Sequence, residues 1–168
     1  MLQRYHNLLT FLDRVGTIEG KDKIQKTVYL LQEAGCNFNE KFDYHLNGAY
    51  SESLSIKLDE MKFFGLIEVN VIETDTGNKQ YQYSLSQIGR QYLQSLYDRD
   101  KSNNLKNFDS LLDNLLNYDA HTLKLLTIVK FLQNIGYDDS QIMRTVKELG
   151  QNYSDSEIQK SIEFLYIN

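Results

Sequence analysis

The chain has no proline and no tryptophan, a single cysteine and three histidines in 168 residues. Each scarcity excludes something. One cysteine, Cys36, rules out a disulfide within the chain, so a reducing cytoplasm is the expected setting. Without proline, hinges carry no X-Pro punctuation, and boundaries must be read from glycine and from periodicity. No apolar run approaches the roughly 18 residues that a membrane span needs. The opening MLQRYHNLLTFLDR contains Asp13 and no small-residue cleavage site, so a signal peptide is not expected.

The same scarcity argues against chemistry. His6, His45 and His121 are far apart and form no HxxxH or HExxH pair, and Cys36 has no CxxC partner. No GxxxxGK[ST] or GxGxxG loop is present, so no nucleotide, cofactor or metal is indicated. Cys36 with His45 is the one nucleophile–base combination, and a small buried thiol beside a loop imidazole is the plainer reading. The expectation is a protein that is not an enzyme.

What is present is an ordinary globular balance, with 41% hydrophobic residues, enough for one domain or a small domain with an extension. The formal net charge is -5, and residues 1–100 carry 11 basic and 14 acidic side chains. That opposes simple electrostatic attraction to nucleic acid, although a local patch depends on where the charges lie.

Periodicity then sets the elements. Tyr5, Leu8, Leu9, Leu12 and Val15 give one face of a helix over 2–15, stopped by Gly16. After a short TIEG loop, Ile24, Val28 and Leu31 mark a helix over 21–34 with Gly35 behind it. A short strand is expected around Phe42 to Leu46, and Asn47-Gly48 reads as a turn. Leu54, Leu58 and Met61 mark a third helix over 51–64, with Ile56 and Phe63 off to one side. Ile67, Val69 and Val71 alternate along a strand, Gly77-Asn78 turns the chain, and 81–85 returns. Ser86 caps a helix carrying Ile88, Tyr92, Leu93 and Leu96. The polar run over 98–107 marks a boundary. Beyond it everything reads as helix, including a capping box at Ser154 and Glu157. This is mainly α with a small β-hairpin: a winged helix-turn-helix domain over 1–97, a polar linker, and a helical extension over 108–168 packed on the core.

Within that frame the second helix opens on Lys21, Lys23 and Lys26, against the preference of a helix N-terminus for acids, and so offers a cationic corner for an anion. Glu19 and Asp22 balance it in the plainer reading. The third helix is expected to expose Glu52, Ser53, Ser55, Lys57, Asp59, Glu60 and Lys62, with Ser51, Ser55, Lys57 and Lys62 as candidate contacts and no arginine, the commonest base-reading side chain. The hairpin contributes Lys79 against Glu73 and Asp75. Tyr81 and Tyr83 join Tyr44, Tyr50 and Tyr92 around it, residues suited to protein contact as well as to an ordinary hairpin core.

Three segments carry a resemblance. GKDKIQKTVYLLQEAG, GAYSESLSIKLDEMKFFGLIE and YSLSQIGRQYL resemble the YwgA-like and SocA (Panacea)-like group of small bacterial proteins. Those show a K-[LI]-Q-K-x-x-Y-L helix and a G-P-Y-S-x-x-L helix ending in G-L-I. The stretch from about Tyr118 to Leu165 is similar to their helical tail. The resemblance implies a winged-helix-like core, with members that act as antitoxins or proteolytic adaptors through protein contacts. Lys23, Gln25 and Lys26 match the second-helix motif with no role to carry over. Ala49 stands where the group has proline, and the acids of the third helix weaken any inheritance of DNA binding. A protein partner is therefore the first expectation, with a DNA-binding regulator as the alternative. No membrane contact is expected, and a homodimer remains compatible with the fold class.

Overall fold

The computed structural model describes residues 2–45, 47–97 and 103–168. Leu46 and the first half of the polar run, 98–102, lie outside it. A 3-10 turn, Leu2–Tyr5, leads into α1 (His6–Val15), which buries Leu8, Leu9, Phe11 and Leu12. The TIEG segment is not a loop. Thr17–Glu19 forms β1, whose central Ile18 is buried opposite Tyr83. Three residues are too few to show a period of two, and the distant strand supplies the pairing.

Next come α2 (Gly20–Glu33), the short hairpin of β2 (Asp43–His45) and β3 (Gly48–Tyr50), and α3 (Glu52–Phe63). A long hairpin, β4 (Ile67–Glu73) and β5 (Lys79–Leu85), follows, and then α4 (Gln87–Leu96). The main sheet is antiparallel in the order β1-β5-β4. Ser51 and Ser86 cap α3 and α4 by accepting from the backbone N–H of Leu54 and Gly89. Ile88 does not join the buried stripe of α4 and is exposed. The reason is its neighbour: Gly89 faces the sheet so closely that an added Cβ would overlap the Leu66 carbonyl and lie 2.8 Å from Leu85 Cδ1.

After a second 3-10 turn, Leu105–Phe108, the chain is helical: α5 (Asp109–Leu116), α6 (Ala120–Asn134), α7 (Asp139–Glu148) and α8 (Asp155–Ile167). Ser154 and Glu157 form the expected capping box, and Asp138 with Gln141 forms a second. The protein is mainly helical with a small antiparallel sheet.

One apolar core joins α1, α2, α3 and the sheet to Leu112 and Leu115 of α5 and to Leu123 and Leu126 of α6. A second joins Leu125, Ile128, Val129 and Leu132 of α6 to α7 and α8. So α6 is apolar nearly all round because it is buried on two sides. Polar ties run along the same seam. Arg14 of α1 donates to Asp109 and Asp113 of α5, each at 2.8 Å, and Lys23 Nζ donates to Leu116 O at 2.9 Å. Gly48 brings β3 close against the helical tail. Its φ is +97°, and a Cβ there would meet Thr127 Oγ1 at 2.5 Å and Lys26 Cε at 3.4 Å.

Candidate functional site: the outer face of α3 and the long hairpin

α3 is positioned from beneath by two glutamines of α2, seven residues apart and so on one face. Gln25 clamps both backbone groups of Ser51: Nε2 donates to Ser51 O and Ser51 N donates to Oε1, each at 2.8 Å. Gln32 holds Glu40 in the same way, with Nε2 donating to Glu40 O and Glu40 N donating to Oε1. The Glu40 carboxylate, its side chain 1% exposed, then reaches α3. Lys57 Nζ donates to Oε1 at 2.5 Å and Ser53 Oγ donates to Oε2 at 2.7 Å. Both carboxylate oxygens are thereby satisfied, as a buried charge requires.

These bonds decide what the lysines do. Lys57 points inward to Glu40. Lys21 crosses from α2 to α3, with Nζ 2.7 Å from Asp59 Oδ1 and 3.4 Å from Ser55 Oγ. Lys23 turns to the carbonyl end of α5. Lys26 is buried, with its ammonium on Asp22 one turn earlier. The three lysines at the start of α2 therefore diverge toward α3, α5 and Asp22. Among the candidate cations, Lys62 and Lys79 are the exposed pair. Ser51 is fully buried as a helix cap.

The hairpin residues divide by depth. Tyr83 is buried opposite Val69 and Ile18. Burial pushes its phenol above the ordinary value, with Lys21 pulling down and Asp59 and Tyr81 pushing up, so α2, α3 and the hairpin meet there. Tyr81, opposite Val71, lies two residues farther out and is exposed, as is Val71.

The outer side of α3 is the unexpected part. Ile56 is 50% exposed and Phe63 84% exposed, one heptad apart on the stripe away from Leu54, Leu58 and Met61. Phe64 packs edge-on against Phe63 and is itself exposed. Arg4 pairs with Glu60 between them. Sequence patterning put Ile56 and Phe63 off the buried stripe, and that offset was the available signal. Nothing in the sequence singled out Glu40 or Arg4.

The remaining chemistry is quiet. Burial pushes the Cys36 thiol up to about 11, away from the thiolate a nucleophile needs. His45 sits edge-on against Tyr50. Among the described residues no group of three or more His, Cys, Asp or Glu is placed to hold a metal ion. Among them, too, no helix is long and apolar enough to cross a membrane.

No family model matches the chain. The uncharacterized protein YwgA of Bacillus subtilis (strain 168) is 24% identical over 165 residues, which cover 98% of this chain and 96% of that relative. The chain is thus similar to YwgA along nearly its whole length.

Proposed function

We propose that the chain is a winged-helix module with a helical tail that acts by binding another protein, in the manner of an antitoxin, inhibitor or adaptor. The order helix, strand, helix, short hairpin, helix, long hairpin and the sheet order β1-β5-β4 support the winged-helix reading, with α3 as the recognition helix and β4–β5 as the wing. Fold alone does not choose the partner.

One observation carries the choice. The outer face of α3 presents Ile56 and Phe63 to solvent, while Lys57 is turned inward onto a buried carboxylate. A helix face that meets phosphates needs cations there. A face that meets protein needs large apolar anchors in an area poor in free charge. The resemblance to antitoxin-like proteins agrees with the second description.

The test is a photo-crosslinking residue placed at position 63 and, as a control, at exposed Gln94 of α4, in cells that make the protein. The reading expects a discrete polypeptide adduct at 63 and none at 94. A nuclease-sensitive adduct at 63 would contradict it and favour the DNA-binding alternative.

A further inference from the structure

The phase of the hairpin ladder is fixed by two bonds at its ends. Ser86 N donates to Leu66 O at 3.0 Å, and Thr74 N donates to Asn78 O at 2.8 Å. These pairs flank the seven facing pairs from Ile67↔Leu85 to Glu73↔Lys79. In an antiparallel ladder the pairs that exchange bonds recur at every second residue. Counting inward from either end gives the same answer: Glu68, Asn70 and Ile72 bond to β5. Both ends agree in phase, so no bulge interrupts β4. The backbone N–H and C=O of Ile67, Val69, Val71 and Glu73 therefore point the other way, out of the sheet.

Among the described residues no strand or backbone group pairs with them. β5 has β1 on its far side, but the sheet ends at β4 among the described residues. Beyond the buried Ile67 and half-buried Val69 the strand is open to solvent as well. Val71 and Ile72, on opposite faces, are 56% and 41% exposed. Protein edges are usually blunted by proline, charged side chains (lysine above all), a bulge or a very short strand. β4 has no proline, lysine or bulge, and its charge is all negative. Over residues 66–78 its charges are Glu68, Glu73 and Asp75, with no lysine or arginine.

We propose that the outer edge of β4 is a docking edge for an extended, basic segment of a partner protein, which joins the sheet as a fourth strand. The occupant follows from the chemistry. A row of alternating backbone donors and acceptors is matched by another extended backbone. Val69 and Val71 with Tyr81 favour β-branched or other apolar side chains on the core-side face of the incoming strand. Glu68 and Glu73 favour lysine or arginine opposite them. The acidic rim also disfavours a second β4, because two such edges bring six carboxylates together against one Lys79 beside Glu73 in each copy. This inference rests on the reading of the wing as a protein-binding surface and names the partner chemistry of one part of it.

The experiment uses the full chain and a monomeric synthetic peptide that alternates valine and threonine and carries lysines. Backbone amide hydrogen exchange is followed residue by residue. In the free chain the Asn70 and Ile72 amides are expected to exchange slowly and those of Val69 and Val71 fast. Added peptide should protect Val69, Val71 and Glu73, with binding that weakens as salt is raised. The same peptide with glutamate for lysine should leave them fast. Val71→Pro removes an outward N–H and no ladder bond, so it should keep the slow Asn70 and Ile72 amides and lower peptide affinity about tenfold. Ile72→Pro, which removes a ladder bond, is the contrast that should unfold the hairpin.

Two results overturn the proposal: Val69 and Val71 remain fast at saturating lysine peptide, or they are already protected in the free chain in proportion to its concentration. The second would make another copy of the chain the occupant. A crosslinked polypeptide at position 63 combined with either result leaves the protein-binding reading standing and removes only the β4 edge. A nuclease-sensitive adduct at 63 removes both.

Discussion

Gln25 of α2 and Ser51 at the start of α3 are joined by two reciprocal hydrogen bonds of 2.8 Å, both buried. The amide of one side chain thus serves both backbone groups of the residue that caps α3. Gln25→Ala leaves the Ser51 N–H buried without a partner and its C=O with only the helical bond from Ser55 N, and should destabilise the fold by roughly 1–3 kcal/mol. Gln25→Glu replaces the donor to Ser51 O with an acceptor and should be at least as damaging. Denaturant midpoints measure both, and Gln94→Ala on the exposed side of α4 should change little.

Lys57 and Glu40 behave as a second fastening, between α3 and the loop before β2. Lys57→Ala strands a carboxylate whose side chain is 1% exposed, so a loss of about 3–5 kcal/mol is expected. Replacing both, as Glu40→Gln with Lys57→Met, removes the charges together and should recover a large part of that loss. A double-mutant cycle on unfolding free energies measures the recovery. If Lys57→Ala proves harmless, the lysine is not committed inward, and it would again be available to an external anion.

These two fastenings mark the limit of what the sequence discloses. The third helix, its serine cap and the long hairpin are legible because they repeat with periods of 3.6 and 2 over many residues. β1 is not, since three residues need β5 to define them. Asp138-x-x-Gln141 is a readable capping signal of the same kind as the one at Ser154. The lysines are the harder case. Lys21, Lys23 and Lys26 look like one cluster in the chain, but successive residues on a helix point about 100° apart, and each meets a different neighbour. Glu40 is illegible because its partners, Gln32, Ser53 and Lys57, come from two other elements.

Alkaline pH should loosen the fold. Burial pushes Cys36 up to about 11 and Tyr153 to about 12, above ordinary values of 9.0 and 10.0. A group whose folded value is raised gives stability that is fully present below its unfolded value and is lost as pH rises toward the folded one. Stability should therefore be flat up to about pH 9 and fall progressively between about pH 9 and 12. Cys36→Ala should delay the onset of that fall toward pH 10. Unfolding midpoints across this range provide the check, and a decline that begins near neutrality would point to other groups.

The central claim is that α3 and the wing meet protein rather than nucleic acid. The most direct test is a salt titration of the full chain with labelled random-sequence duplex DNA, read by fluorescence anisotropy and starting at low ionic strength. With Lys57 held by Glu40 and Lys21 by Asp59, the expected result is no binding even at the lowest salt, and no difference on Lys62→Ala with Lys79→Ala. Binding that weakens steeply as salt rises, and that drops in the double variant, would contradict it.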